Sequence, residues 1–223
     1  MVARRAVVLL SGGLDSATCF LIARAEGSEV FALSFDYGQR HALELDRARA
    51  LAERYGAAGH RVLRLDWPSP GASALTDSSQ PVPRNRLGAE PIPVTYVPAR
   101  NTVFLALGVG YAESLGASEI FIGANALDYS GYPDCRAEFL EAFETVANLG
   151  TRAGVLGESR YRIRAPLLRW TKARIVTEAA RLGLDFRLTV SCYDPTASGL
   201  PCGECDACLL RAKGFGEAGI LDR

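Results

Sequence analysis

Four short apolar runs alternate with longer stretches of helical spacing, and that alternation leaves few folds open to this chain. The runs are residues 5–10, 29–35, 61–65 and 119–124, each β-branched or leucine-rich and bounded by turn residues. Between them, residues 15–26, 41–56 and 102–116 repeat apolar positions at helical intervals. Short strands that each lead into a helix pair in parallel through crossover connections, with helices covering both faces of the sheet. The expectation is one α/β domain built on a Rossmann-like parallel sheet. Further helices are expected at 136–149 and 171–183, the second opening at Thr171 and closing at Gly183.

Residues 67–98 break the rhythm, because seven of the eleven prolines fall there. A long irregular insertion in a compact domain suits a lid, an interface or a surface loop. From about residue 190 a cysteine cluster marks a small C-terminal appendage, which divides the chain into 1–189 and 190–223. With 223 residues, 48% of them hydrophobic, the chain can bury a full core. Its formal net charge of zero gives no footprint for tight binding to nucleic acid or anionic membrane. The arginines before Ala6–Leu10 imitate a signal peptide, but that apolar run is too short for one. The expectation is a soluble cytoplasmic protein that contacts neither membrane nor nucleic acid directly.

The first run ends at Ser11-Gly12-Gly13-Leu14-Asp15-Ser16. A glycine turn between a strand and its helix brings backbone N–H groups to the positive end of the helix, where phosphate oxygens bind. Ser11 and Ser16 can add hydroxyl donors. The pattern lacks the lysine of a Walker loop and the spacing of a dinucleotide fingerprint. Asp15 would repel phosphate unless it caps the helix or serves a magnesium ion.

Near the other end, Cys192, Cys202, Cys205 and Cys208 follow a C-x9-C-x2-C-x2-C pattern. Four thiolates so spaced can close a tetrahedral zinc site of structural kind, one ion per chain, with an iron–sulfur cluster as the rival. A nucleic-acid-binding ribbon is disfavoured, since residues 186–223 carry four basic side chains against five acidic ones.

SGGLDS resembles the pyrophosphate-binding loop of the ATP pyrophosphatase (PP-loop) superfamily, whose fold is adenine nucleotide alpha hydrolase-like. Its members attack the α-phosphorus of ATP and release pyrophosphate, so the loop grips a leaving group and needs no Walker lysine. Four more stretches sharpen the likeness: FDYGQRH (35–41), VPARN (97–101), DYSGYPDCR (128–136) and TVSCY…CGECDACLLR. Together, from about residue 5 to 220, they resemble the 7-cyano-7-deazaguanine synthase family of queuosine and archaeosine biosynthesis.

That resemblance implies a ligase that turns 7-carboxy-7-deazaguanine and ammonia into the nitrile, through an acyl-adenylate and an amide. It implies ATP with Mg²⁺, a structural Zn²⁺ and a homodimer. It assigns to ATP the segment Leu10, Ser11, Gly12, Gly13, Leu14, Asp15, Ser16, Ala17, Thr18, Cys19 and Phe20, with Phe35 at the adenine. Arg100 and Lys172 are the candidates for charge on the phosphates, beside Asp15. DYSGYPDCR is expected to hold the base: Tyr129 or Tyr132 stacks on the ring, Asp134 or Asp128 reads its Watson–Crick edge, and Arg136 pairs with its carboxylate. His41 is either a general base or a surface residue. A tRNA sulfur-transfer enzyme of the same superfamily is the runner-up, and a nucleotide-sensing interaction module the alternative outside enzymes.

Overall fold

The computed structural model describes residues 4–40, 43–67, 71–86, 92–127, 131–196 and 199–222. Five strands, β1 (Arg5–Leu9), β2 (Glu29–Asp36), β3 (Gly59–Arg64), β4 (Glu119–Phe121) and β5 (Arg162–Arg164), form one sheet in the order β3-β2-β1-β4-β5. Every pairing is parallel, with Val7 opposite Phe31 on one side and Ile120 on the other. Seven helices accompany the described strands: α1 (Leu14–Ala25), α2 (Leu43–Arg54), α3 (Arg100–Leu115), α4 (Ala137–Gly150), α5 (Arg152–Val155), α6 (Lys172–Arg181) and α7 (Asp206–Ala218).

The central strand explains why its residues do not alternate in polarity. Ala6, Val7 and Val8 are all fully buried, because both faces of β1 are covered. Ala6 and Val8 point to a layer of α1, α2, α6 and α7, packing with Phe20, Leu51, Ile175 and Phe215. Val7 and Leu9 point the other way, to Leu105 and Val109 of α3 and Leu140 and Phe143 of α4. Each such buried side chain contributes about 1.5–3 kcal/mol relative to exposure.

The strand order reverses between β1 and β4, and open parallel sheets of this kind bind ligands beyond the carboxyl ends at that point. Here β1 leads into the Ser11–Ser16 loop and β4 leads to Gly123. A Cβ on Gly123 would lie 2.9 Å from Ser16 N and 3.1 Å from Asp15 C, so the missing side chain lets the two chain segments cross. β4 ends at Phe121, short of the expected 119–124, although Ile122 N still donates to Arg164 O at 2.9 Å.

Besides the one-turn α5, two elements were not anticipated. β5 is a three-residue edge strand whose Arg164 ties to Glu119 and Glu26 at 2.6 and 3.0 Å and lies over the Phe121 ring. The expected appendage contains α7, which lies along α6 and contributes Phe215 to the core. Within the proline-rich insertion, Arg84 bridges to Cys205 and Asn85 N donates to Glu204 O at 2.9 Å, so that segment docks on the cysteine loop.

Candidate active site

Gly12 has φ +89°, and a Cβ there would stand 2.3 Å from Glu44 O at the start of α2. Only glycine fits that backbone angle and that approach. Gly12 O in turn accepts from Val190 N at 3.0 Å, which ties the loop to the chain just before the first clustered cysteine. The loop hydroxyls hold each other: Ser11 Oγ and Ser16 Oγ are 3.0 Å apart, Ser16 Oγ donates to Gly13 O, and Gly13 N donates to Ser11 Oγ. The N-cap Gly13 makes no side-chain cap, so the first N–H groups of α1 are placed to meet an anion.

Lys172, the first residue of α6, donates to both oxygens of Asp15 at 2.9 Å each. The two side chains are only 9% and 19% exposed, so this is a sheltered ion pair at the loop. Its geometry depends on α7, because a Cβ on Gly214 would lie 2.3 Å from Lys172 Cγ. Asp15 therefore answers the charge problem by meeting a lysine 157 residues downstream.

Arg100 opens α3 and donates from Nη1 to the Tyr37 hydroxyl at 3.3 Å. The residue before it, Ala99, is held at φ +54°, a left-handed conformation that costs a non-glycine residue free energy. Burial works against the charge of Arg100, but the Tyr37 and Tyr132 phenols and the Cys135 thiol hold its pKa above the ordinary value. Burial raises the Glu44 carboxyl to about 8, with Arg100 opposing, and the Cys135 thiol to about 12.

These groups line one cavity of about 220 Å³, together with Phe35, Phe104, Asn125, Ser191, Tyr193 and Arg211. Phe35 stacks on Phe104 at 3.9 Å with 9° between the rings, and Tyr37 and Trp67 close around Phe104. Tyr132 is fixed by a 2.8 Å bond to Thr95 Oγ1 and by the Tyr96 ring.

Of the residues singled out from sequence, Leu10, Ser11, Gly13, Leu14, Asp15, Ser16, Phe35, Arg100, Tyr132 and Lys172 line this cavity. Gly12 shapes the loop from behind. Ala17, Thr18, Cys19 and Phe20 are buried in the α1 interface, Thr18 Oγ1 donating to Leu14 O and Cys19 Sγ to Ile122 O. Arg136 is exposed, while His41, Asp128 and Tyr129 lie outside the described residues. The structure places Asp134 away from the cavity lining: its Oδ2 accepts from Asn101 N at 2.9 Å and so caps α3. Asn101 Nδ2 donates back to Asp134 O and to Cys135 Sγ, fastening the DYSGYPDCR turn to the start of that helix. Deleting the Asp134 carboxylate leaves a buried N–H unpaired, at about 1–3 kcal/mol. Asp134→Ala is therefore expected to lower Tm by several degrees, roughly 2–4 °C per kcal/mol at this size, as thermal unfolding would record. An unchanged Tm would remove the cap from the account.

Tyr37, Glu44, Asn101, Phe104, Asn125, Tyr193 and Arg211 were not singled out. The first two fall in or just past FDYGQRH and Asn101 ends VPARN, so those signals lay close by. Tyr193 and Arg211 end TVSCY and CGECDACLLR, whereas Phe104 sits in an ordinary helical pattern that marks nothing.

The Sγ atoms of Cys192, Cys202, Cys205 and Cys208 all lie within 4.8 Å of one another. Backbone N–H groups point at the sulfurs, from Asp194 and Cys202 to Cys192 Sγ at 3.4 and 3.2 Å and from Cys205 to Cys202 Sγ at 3.4 Å. Such donors stabilise thiolate charge, and a tetrahedral ion with metal–sulfur bonds of about 2.3 Å would fit among the four. The cluster can hold a metal ion.

A five-stranded parallel sheet of this order, with SGGLDS at its switch point, defines the class: a PP-loop ATP pyrophosphatase domain. The fold is shared with NMN synthetase from Francisella tularensis (TM-score 0.50, 18% identity, covering 99% of this chain and 74% of that one). It is shared as well with a predicted tRNA methyltransferase subunit from Methanocaldococcus jannaschii (TM-score 0.51, 18% identity, 79% and 74%). The chain belongs to the family of queuosine biosynthesis protein QueC, whose model matches residues 5–219. It is 60% identical over 223 residues to 7-cyano-7-deazaguanine synthase of Anaeromyxobacter dehalogenans, covering 99% of this chain and 94% of that one. It is 59% identical over 219 residues to the Syntrophotalea carbinolica enzyme of the same name, covering 98% and 95%. No helix among the described residues is long and apolar enough to cross a membrane.

Proposed function

We propose that this chain is an ATP-dependent ligase that makes 7-cyano-7-deazaguanine from 7-carboxy-7-deazaguanine and ammonia, for queuosine biosynthesis. The observation that carries the reading is the lysine-free loop set against the Asp15–Lys172 pair at the β1–β4 switch point, in a chain of this family.

Hydroxide is a poor leaving group, so a carboxylate becomes a nitrile in water only if its oxygens leave in another form. Adenylation makes each oxygen leave as AMP. The uncapped turn of α1 with Ser11 and Ser16 grips the β,γ-phosphates, the leaving group of that transfer. Lys172 and Arg100 meet the negative charge that develops around the α-phosphorus. Phe35, backed by Phe104, offers a flat wall to the adenine, and Tyr132 offers one to the deazapurine. Asp128 and Tyr129 remain assigned to the base. Asp134, one of whose oxygens accepts from Asn101 N, stays with Asp128 as a candidate acceptor for the base edge.

The four cysteines hold zinc, which supplies folding free energy when bound, and Asp15 is the carboxylate suited to the magnesium that accompanies ATP. The active form is a cytoplasmic homodimer, to which the proline-rich segment contributes surface. With ATP, Mg²⁺, ammonium and 7-carboxy-7-deazaguanine, the expected products are AMP, pyrophosphate and the nitrile. Nucleotide chromatography and mass spectrometry check this, and substrate-dependent ADP would overturn it.

A further inference from the structure

We infer that Arg100 and the Tyr37 hydroxyl together bind the carboxylate of the deazapurine substrate, the group that the reaction activates. The inference rests on the ligase reading above and adds to it the element that recognises the acid.

A guanidinium carries five N–H donors and a full charge, and away from water both call for acceptors. The cations at the cavity differ in how far the protein meets that demand. Lys172 is held on both oxygens of Asp15. Arg211 bonds to both oxygens of Asp222 and to the Thr189 and Ser191 hydroxyls. Arg100 gives one donor, Nη1, to the Tyr37 hydroxyl at 3.3 Å, and among the described residues it makes no ion pair. The Tyr132 phenol and the Cys135 thiol, which also act on its charge, are neutral groups. Its charge reaches Glu44 as well, but burial keeps that carboxyl protonated up to about pH 8. Arg100 therefore lines the cavity with donors and charge that the described residues do not use up, and an anionic ligand would complete it.

The place of Arg100 says which anion. Lys172 belongs to the phosphate loop through Asp15. Arg100 stands between the two aromatic walls instead. On one side Tyr37 meets Phe104 edge-on at 5.4 Å, and Phe104 backs Phe35 at the adenine. On the other is Tyr132, the wall for the base. An anion held there lies where the substrate's carboxylate has to meet the α-phosphorus, and the planar fork of a guanidinium matches a planar carboxylate. Arg136, expected from sequence to pair with that group, is exposed and does not line this cavity.

Tyr37 suits a site that takes an acid first and an amide second. Its ring is 7% exposed and packed by Phe104 and Trp67, so the oxygen has a fixed place. That oxygen accepts from Arg100 with one lone pair, which leaves its O–H and a second lone pair. With the acid, the O–H donates to one carboxylate oxygen. The other oxygen gives its lone pair to the α-phosphorus as the bond to pyrophosphate breaks, and pyrophosphate carries that electron pair away. With the amide, the second lone pair accepts from the amide N–H while the amide oxygen faces Arg100. A hydroxyl can change roles in this way, whereas a second cation would reject the amide nitrogen.

Calorimetric titration tests the assignment with three ligands: 7-carboxy-7-deazaguanine, its amide, and 7-deazaguanine, which lacks the group. Each is titrated into protein holding Mg²⁺ and α,β-methylene-ATP. Tyr37→Phe keeps the packed ring and should weaken acid and amide by about 10-fold, with 7-deazaguanine within about two-fold of native. Arg100→Gln should weaken the acid by roughly 10²-fold and the amide less, because only the acid is charged. Affinity for the nucleotide analogue alone should stay within about three-fold in Tyr37→Phe, which carries the test if Arg100→Gln does not fold. Native affinity for the acid in these variants overturns the inference, as does an equal loss for the acid and 7-deazaguanine. A loss confined to the nucleotide, or an acid-specific loss seen only in Arg136→Ala, overturns it too. If the native protein binds none of the three ligands, the ligase reading itself fails.

Discussion

Replacing Lys172 by alanine is expected to lower kcat/KM for ATP by on the order of 10²–10³, the usual loss when one preset charge donor is taken from a developing anion. Two effects add. The ammonium that would face the phosphates disappears, and Asp15, only 19% exposed, loses the partner that bonds both its oxygens. An acid left without its cation at the mouth of the phosphate loop repels the triphosphate. The cost should therefore appear in KM for ATP as well as in kcat. Asp15→Asn with Lys172→Ala should cost less than the two single changes summed, because the residues act as one unit. Arg174 supplies the control. It lies two positions along α6, exposed and stacked over Trp170 at 4.1 Å, and Arg174→Ala should leave both constants unchanged. Initial rates of AMP release settle it, and native kinetics in Lys172→Ala would remove the pair from the mechanism.

How far the site could be read in advance follows from how its residues are brought together. The loop was legible because strand, glycine turn and helix start are adjacent in the chain and each carries a local chemical signature. Phe35 was legible for a related reason: the carboxyl end of a strand in a parallel sheet is a predictable place. Glu44 gave no such sign. One glutamate in the first turn of an amphipathic helix is ordinary, and only the folded arrangement of α2 brings it to the cavity lining. Asp134 shows how far a local pattern reaches. Its tight Gly-Tyr-Pro setting directs the carboxylate, and one of its oxygens meets the backbone of α3, a contact across 33 residues that no local pattern encodes. β5 was missed because a strand of three residues with two arginines has no periodicity to detect, and its hydrogen bonds to β4 define it. α7 was hidden because Cys205 at its N-cap and Cys208 in its first turn drew the reading toward metal ligation, although Asp206–Ala218 also has the spacing of a helix.

That last helix makes metal removal the perturbation with the largest expected effect on stability. Cys205 is the N-cap of α7 and Cys208 lies in its first turn, so a bound ion would fix where the helix begins. About one turn beyond Cys208, Arg211 donates to Thr189 Oγ1 and Ser191 Oγ, holding the stretch whose Val190 N–H bonds to Gly12 O of the phosphate loop. Gly214 then seats the stem of Lys172, and Phe215 closes the core against Phe186 at 4.7 Å. One helix thus links the metal ligands to the loop and to the cation of the site. Structural zinc contributes free energy of folding directly, about 10–16 kcal/mol in peptides that depend on it wholly. This chain has a sheet core besides, so the share is smaller, yet Cys205→Ser or chelation should lower Tm by more than 10 °C, roughly the shift of a 3–5 kcal/mol loss. ATP affinity should fall with it. Gly214→Ala separates the two ends of the linkage. Its new Cβ meets Lys172 and leaves the cysteines alone, so metal content should stay at one zinc per chain by elemental analysis while kcat drops. Iron with visible absorbance would replace zinc in this account. A metal-free Cys205→Ser protein with native Tm and native ATP affinity would show that α7 holds its place without the cluster.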